Sequence, residues 1–335
     1  SNYLLPTTAT GAIGSILPRP LLAALIGTVS RNYDGTTNAL LGSGNFALNG
    51  LVSGETITVT QTAGAFGTAN VGSNLSVSAS LGSANFTAGA GTALSNYLLP
   101  TTATGAIGSI LPRPLLAALI GTVSRNYDGT TNALLGSGNF ALNGLVSGET
   151  ITVTQTAGAF GTANVGSNLS VSASLGSANF TAGAGTALSN YLLPTTATGA
   201  IGSILPLTLI YRAVPAVRFV GAPNPIFTGS VTGFLEGETL ATATTGAVVF
   251  TSPATTQSEA GLYPITGSGL SAINYIFAQA EGNAKALTIQ LNIVNQVPSV
   301  STPPRAAGAG GSSGAGSGSG SSSGSGSSSG SGSSS

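Results

Sequence analysis

Few residues of this chain have side chains suited to catalysis or metal binding. The sequence contains no histidine or cysteine, and Lys285 is its only lysine. This composition excludes Ser-His-Asp and Cys-His arrangements and zinc sites. Glu236 and Glu238 are the only closely spaced acid pair, and their glycine-flanked segment favours a solvated loop tip over a glycosidase pair. With only two aspartates in the chain, no calcium site is expected either. The sequence therefore predicts no enzyme and no catalytic, cofactor-binding or metal-binding residue.

A Tyr-Asp-Gly motif occurs twice, at residues 33–35 and 127–129. It could mark a ligand or metal site, but Asp-Gly is typical of a turn in which the aspartate accepts from its own backbone and the glycine adopts a positive φ. The tyrosine would pack with its hydroxyl at the rim. We therefore interpret the motif as structural, and the Asn-Tyr pairs at 96–97 and 274–275 as strand-edge corners.

Charge is scarce, with eight basic and eight acidic side chains in 335 residues. A nucleic-acid-binding surface needs clustered basic residues, so no nucleic-acid partner is expected. The most apolar window, residues 14–29, is interrupted by Pro18, Arg19 and Pro20 and is shorter than a membrane helix, so we expect no transmembrane segment. The absence of cysteine excludes a disulfide framework and fits an exported protein.

The sequence segments around these motifs have the pattern of β-strands. Residues 74–81, 55–60 and 287–293 alternate apolar with polar side chains, and glycine- and asparagine-rich breaks separate such runs. The short run Leu21–Ile26 follows a proline, as a helix would, but ends in glycine and β-branched residues, and we interpret it as strand. The pattern predicts an all-β fold of tandem immunoglobulin-like β-sandwiches in a linear array.

Exact repetition sets the domain organisation. Residues 1–94 recur without a substitution as 95–188, and the first 17 residues return as 189–205. The unit matches one sandwich domain in length, and we interpret the Pro-Arg-Pro at 112–114 as a short stiff linker between two domains. The predicted domains are 18–111, 112–205 and a diverged 206–297. Residues 1–17 are expected to be the closing strand of a preceding repeat, and 298–335 a flexible Gly/Ser-rich tail.

Two passages resemble known bacterial families. Tyr33-Asp34-Gly35, followed by Gly50–Glu55, Asn70-Val71-Gly72 and Asn96-Tyr97, is similar to the YDG repeat of large adhesins of the filamentous-haemagglutinin kind. Residues 206–290 resemble the MBG domain, a bacterial immunoglobulin-like module often found beside YDG repeats. The resemblance implies a β-sandwich array on a secreted or outer-surface protein used for attachment or biofilm cohesion.

Three functions remain open at this point. The leading hypothesis is a structural stalk of a cell-surface adhesin, in which the neighbouring repeats are the main partners. The second is a subunit of an extracellular filament or sheath, in which residues 1–17 complete an identical protomer by strand exchange. The third is a module that binds surface glycan. All three place the protein outside the cell or on its outer surface.

Overall fold

The structure is a computed structural model that describes Tyr3, Leu4 and residues 6–292 of the chain. The predicted tail, residues 298–335, lies outside this part. The described residues up to Gln290 form one compact unit. Every strand pairing in it falls within residues 19–111, 113–205 or 207–290, which we call repeat 1, repeat 2 and the third domain.

The prediction of an all-β fold is confirmed. In repeat 1 the strands are β1 (Arg19–Pro20), β2 (Leu22–Leu25), β3 (Val29–Asn32), β4 (Asn38–Leu40), β5 (Phe46–Asn49), β6 (Ile57–Val59), β7 (Ala63–Phe66), β8 (Gly72–Ser80), β9 (Phe86–Ala88), β10 (Tyr97–Leu98) and β11 (Thr102–Leu111). In repeat 2 they are β12 (Arg113–Pro114), β13 (Leu116–Leu119), β14 (Val123–Asn126), β15 (Asn132–Leu134), β16 (Phe140–Asn143), β17 (Ile151–Val153), β18 (Ala157–Phe160), β19 (Gly166–Ser174), β20 (Phe180–Ala182), β21 (Tyr191–Leu192) and β22 (Thr196–Leu205).

The third domain carries shorter sheets. Its strands are β23 (Leu207–Ala213), β24 (Ala216–Phe219), β25 (Gly229–Thr232), β26 (Thr245–Thr251), β27 (Gly261–Tyr263), β28 (Thr266–Ser271), β29 (Tyr275–Gln279) and β30 (Leu287–Gln290). One four-residue helix, α1 (Leu240–Ala243), joins them. The 3-10 helices are Ser43–Asn45, Ser83–Asn85, Leu94–Asn96, Ser137–Asn139, Ser177–Asn179, Leu188–Asn190 and Glu281–Lys285.

Each repeat is built around its last long strand. In repeat 1 the main sheet has the order β4-β7-β8-β11-β2-β5, and β3 pairs with β11 as well. The pairing of β11 with β8 is antiparallel, whereas its pairing with β2 and β3 is parallel. The pairs β1·β10 and β6·β9 complete the repeat, and repeat 2 has the same topology. The start and the end of each repeat therefore lie side by side in one sheet.

Side-chain alternation explains the long strands. Along β8, Val77 and Ala79 are buried while Ser76 and Ser78 face solvent. Gly108 of β11 leaves room for an aromatic neighbour, because a Cβ there would lie 2.6 Å from the ring of Phe66. The buried apolar side chains of both repeats form one continuous cluster that extends to the third domain. The core therefore does not stop at the domain boundaries.

The prediction that the Pro-Arg-Pro at 112–114 is a linker is wrong. Arg113 and Pro114 form β12, which pairs in parallel with Tyr191 and Leu192 at the far end of the same repeat. The Leu115 amide continues this pairing by donating to the Leu192 carbonyl at 3.0 Å. The prolines are tolerated because this two-residue strand lies at the edge of a sheet. No separate linker segment lies between repeats 1 and 2.

The third domain keeps the strand pairing that begins and ends each repeat. Its first strand, β23, pairs in parallel with β29 from Leu207 and Tyr275 onward, as β1 pairs with β10. The Val220 amide donates to the Gln290 carbonyl at 2.9 Å, and the Tyr33 amide makes the same bond to Leu111. Val220 therefore occupies the position that Tyr33 has in repeat 1.

The stretch before repeat 1 behaves differently from its two copies. Tyr3, Leu4 and residues 6–17 lie in no strand. The identical sequence forms β10 and β11 in repeat 1 and β21 and β22 in repeat 2. Ile13 and Ile16, whose counterparts Ile107 and Ile110 pack into repeat 1, are almost fully exposed. The stretch therefore has its side chains in solvent where its copies are packed.

Candidate functional site: the joints between domains

The Tyr-Asp-Gly motif lies at the end of repeat 1 that faces repeat 2. Strand β3 leads into it, and the amide of Tyr33 is held by the carbonyl of Leu111 at 2.9 Å. One carboxylate oxygen of Asp34 accepts from the amide and the hydroxyl of Thr36, both at 2.8 Å. Gly35 adopts a φ of 78°. The predicted Asp-Gly turn is present, and it aims the tyrosine ring away from its own repeat.

An ion pair stiffens this turn. The guanidinium of Arg31 contacts the carboxylate of Asp34 and lies over the ring of Phe66, 5.1 Å from its centroid. Burial acts to raise the pKa of Asp34, but hydrogen bonds from Thr36 and Arg31 outweigh it and hold the pKa below its usual value. The turn is therefore charged and fixed at neutral pH.

The tyrosine hydroxyl crosses the boundary between the repeats. Tyr33 donates to one carboxylate oxygen of Glu149 in repeat 2, and Tyr191 donates to the other at 2.6 Å. The two rings meet edge to face, with centroids 5.5 Å apart and an interplanar angle of 81°. One carboxylate thus binds two tyrosines from different domains.

An asparagine provides the second connection. The side-chain oxygen of Asn190 accepts from the Val71 amide at 2.9 Å, and its nitrogen donates to the side chain of Asn70 at 3.0 Å. Asn190 is 2% exposed. Gly35 permits the close approach, because a Cβ there would lie 3.0 Å from Val146. We call this set of contacts joint 1.

The joint has two unlike halves. The tyrosine end of repeat 1 consists of Tyr33, Asn70 and Val71, and the glutamate face of repeat 2 consists of Val146, Glu149, Asn190 and Tyr191. The glutamate face is organised internally, because the Tyr191 hydroxyl also accepts from the Val146 amide at 3.0 Å. Each half therefore uses residues far apart in sequence.

The same joint forms between repeat 2 and the third domain. Tyr127 donates to Glu238 at 2.6 Å, and Tyr275 donates to the other carboxylate oxygen. The two rings are 5.6 Å apart at 78°. Asn274 accepts from the Val165 amide at 2.9 Å and donates to Asn164 at 3.0 Å. Joint 2 thus reproduces the hydrogen bonds and the ring pair of joint 1, although the third domain differs in sequence.

Both joints shift the ionisation of their tyrosines. Burial, followed by the hydrogen bond to Glu149, raises the pKa of Tyr191 to about 12. Burial and Glu238 raise the pKa of Tyr275 to about 12 in the same way. Burial, followed by the hydrogen bond to Glu149, also raises the pKa of Tyr33, and the hydrogen bond to Glu238, followed by burial, raises the pKa of Tyr127. All four hydroxyls therefore remain protonated donors at neutral pH.

Repeat 1 carries a glutamate face that no described residue covers. The Tyr97 hydroxyl donates to Glu55 and accepts from the Val52 amide at 3.1 Å, as in repeat 2. Asn96, the counterpart of Asn190, is exposed. The face is therefore formed before any neighbour binds to it.

A cleft that contains an ion pair recurs in both repeats. It has a volume of about 610 Å³ in repeat 1 and about 660 Å³ in repeat 2, and Arg31 and Asp34 or their counterparts lie in it. No aromatic side chain lines the cleft in either repeat, although sugars commonly stack on such rings. In the third domain the equivalent Arg218 is sealed in by hydrogen bonds to Asn224 at 2.7 Å and to backbone carbonyls.

Some of the candidate residues from the sequence are exposed to solvent, and others lie in the joints. Glu236 and Lys285 are exposed. The interpretation of Glu238 as a solvated loop tip is wrong, because it binds two tyrosines in joint 2. The prediction of Tyr33 with its hydroxyl at a rim is also wrong, since the residue is buried between domains. Among the described residues, no group of three or more acidic, histidine or cysteine side chains could hold a metal ion.

Sequence reasoning missed Glu149, Asn70 and Asn190 as partners across a boundary. The available signal was the order of motifs: Tyr-Asp-Gly, Ser-Gly-Glu and Asn-Tyr recur together in each repeat. The third domain keeps Glu238 and Asn274-Tyr275 but has valine at the tyrosine position. The loss of the tyrosine alone distinguishes the tyrosine end, which contacts the following domain, from the glutamate face, which contacts the preceding domain.

Comparison with known sequence families gives two matches. The family described as the YDG domain matches residues 17–105 and 111–199, which together make up more than half of the chain. The chain belongs to the YDG domain family. The family described as the MBG domain (YGX type) matches residues 209–285. No curated protein and no solved structure matches the chain.

The tyrosine of the Tyr-Asp-Gly motif is therefore part of an interdomain joint in this chain. Each YDG repeat presents its tyrosine end to the glutamate face of the domain that follows. The MBG domain supplies such a face but not the tyrosine. No helix among the described residues is long and apolar enough to cross a membrane.

Proposed function

We propose that this chain is a stalk segment of a secreted or cell-surface bacterial adhesin of the filamentous-haemagglutinin kind. In this role it extends a binding region for attachment or biofilm cohesion and catalyses no reaction. The observation that carries the proposal is the joint, which occurs twice with the same contacts. A site for a small ligand needs one constellation of groups, whereas a repeated connection between domains serves reach and mechanical strength.

The contacts of the joint support a stiff connection. Interfaces between domains of one chain are commonly small and polar, and relative motion is the default expectation. Here two aromatic rings, a shared carboxylate and a 2%-exposed asparagine fix the relation of one domain to the next. The continuous apolar cluster through the boundary adds packing to these hydrogen bonds. A stalk needs this resistance to bending.

The test replaces residues 18–290 in the parent adhesin by an unrelated tandem β-sandwich spacer of similar length. Antibodies against the chain should label intact cells of the producing bacterium. Attachment under flow should fall when the segment is deleted and return with the spacer, because a stalk contributes distance rather than recognition. Attachment that stays lost with the spacer would contradict the stalk function and favour binding by the segment itself.

One observation favours the second candidate, an extracellular filament formed by strand exchange. The stretch before repeat 1 is exposed, although its sequence forms a central strand in both repeats. Electron microscopy of the chain at micromolar concentration tests this function. Regular fibres that disappear when residues 1–17 are replaced by a scrambled sequence would support it, and dispersed single particles for both sequences would exclude it.

A further inference from the structure

Tyrosine is the most easily oxidised side chain in this protein. The sequence contains no cysteine, methionine, tryptophan or histidine, the residues that usually react first with oxidants. Of its eight tyrosines, four lie in the two joints. Oxidising equivalents that reach the folded chain therefore have no competing thiol, thioether, indole or imidazole side chain to consume them.

The four joint tyrosines form two facing pairs. Tyr33 and Tyr191 have ring centroids 5.5 Å apart, and Tyr127 and Tyr275 have centroids 5.6 Å apart. Within each pair the two hydroxyls bind the two oxygens of a single carboxylate. The hydroxyl-bearing ends of the rings, and with them the ring carbons next to the hydroxyls, are thereby held side by side.

We propose that the facing tyrosines of both joints are cross-linking sites, at which a peroxide-dependent one-electron oxidant joins successive domains by dityrosine bonds. Each tyrosine of a pair loses one electron and one proton and becomes a phenoxyl radical. The two radicals couple through the carbons next to their oxygens, and the hydrogen on each of these carbons moves as a proton to a phenol oxygen, which restores the ring and its hydroxyl. One hydrogen peroxide is reduced to two waters for each carbon–carbon bond formed.

The shared carboxylate assists the first step. A phenol gives up its electron readily only when its proton leaves at the same time, and each hydroxyl already donates to Glu149 or Glu238. The carboxylate can accept the proton of the first tyrosine without movement of either ring, and it must pass this proton to solvent before it accepts the proton of the second. Once the radicals form, rotation of the rings about χ2 can turn the two carbons toward each other, and an additional change of χ1 must bring the ring centroids closer than 5.5 Å before the bond forms.

Access differs between the two joints. A cavity of about 460 Å³ opens beside joint 2 and is lined by Tyr127, Glu238 and Tyr275. Small oxidants can reach the second tyrosine pair through it. The rings of both pairs are almost fully buried, at 4% and 5% exposure in joint 1 and at 7% and 4% in joint 2, so the cavity rather than ring exposure favours joint 2. Joint 2 should therefore react first.

The experiment oxidises the full chain at low concentration with a peroxidase and hydrogen peroxide. Monomeric chain is recovered, digested and analysed by mass spectrometry for linked tyrosine peptides. Because both repeats have the same sequence, only the peptide of Tyr275 identifies its joint directly, and variants must assign the rest. Tyr127→Phe should abolish the link to Tyr275, and Tyr33→Phe should abolish the link between the repeats while leaving the other.

Repeat 1 provides the matched control. Tyr97 has the same bonds to its own glutamate and backbone as Tyr191, but no described tyrosine faces it. Tyr97→Phe should leave both links unchanged. The proposal is wrong if the native chain yields no linked peptide at either joint. It is equally wrong if the only cross-links are found in the oligomeric fraction and join different molecules through exposed Tyr3, or if chain unfolded in urea gives the same linked peptides.

Discussion

Repeats 1 and 2 have the same sequence, yet their glutamate faces are in different environments. In repeat 2 the face is covered by the tyrosine end of repeat 1, and Asn190 is 2% exposed. In repeat 1 Asn96 is exposed and Val52 is 45% exposed, although Tyr97 keeps its bonds to Glu55 and Val52. The internal order of the face and the burial of its tyrosine therefore come from the repeat, since Tyr97 and Tyr191 are both 5% exposed, whereas the burial of its asparagine and valine comes from the neighbour. Paired substitutions at the two faces can separate these contributions.

The largest difference is expected for the tyrosines. Tyr191→Ala removes a buried ring that packs both within repeat 2 and against Tyr33, and should lower the free energy of unfolding by about 3–5 kcal/mol. Tyr97→Ala should have a smaller effect, since it removes only the contacts within repeat 1. Urea unfolding followed by circular dichroism measures both. Equal losses would mean that joint 1 adds nothing to stability.

The glutamates should differ by less. Glu149→Ala leaves two tyrosine hydroxyls without an acceptor and should cost about 2–3 kcal/mol. Glu55→Ala removes the acceptor of one hydroxyl and should cost about 1 kcal/mol. The same unfolding experiment compares them, and Glu149→Gln, which keeps one acceptor oxygen, should fall between wild type and alanine.

The asparagines test the joint without touching an aromatic ring. Asn190→Ala should cost about 1–2 kcal/mol, because the Val71 amide loses its acceptor. Asn96→Ala, at an exposed position, should change the free energy by less than about 0.5 kcal/mol. Hydrogen exchange at the Val71 amide gives a local reading: exchange should accelerate in Asn190→Ala and stay unchanged in Asn96→Ala.

The smallest expected effect on the free energy of unfolding at neutral pH comes from the ionisation of the joint tyrosines. The pKa of Tyr191 is raised to about 12 in the folded chain, whereas an unfolded tyrosine titrates near 10. Its neutral form is therefore favoured by folding, and this stabilisation is complete below about pH 10 and is lost as the pH rises through about 12. Ultraviolet titration of phenolate should show late-ionising tyrosines, and Tyr191→Phe should remove one. If every tyrosine ionised near 10, the burial of the joint would be disproved.

Local features of the fold were predictable from the sequence. The alternation around Val77 identified β8, and the Asp-Gly dipeptide identified the turn after Tyr33. The partners across a domain boundary were not predictable, because Tyr33 and Glu149 are 116 residues apart and no local pattern encodes their contact. The prediction of a linker at the Pro-Arg-Pro segment was wrong for the same reason. Its status as a strand depends on Tyr191 and Leu192, which follow far along the chain.

The valine at position 220 gives the order of modules a direction. A YDG repeat carries both halves of the joint, so any whole number of copies can be added or lost by recombination without creating a mismatched boundary. The MBG domain can follow a YDG repeat, but with Val220 it offers no phenol to a module placed after it. The joint therefore suits repeats placed one after another, whereas a module that followed the MBG domain would have to be held without this tyrosine.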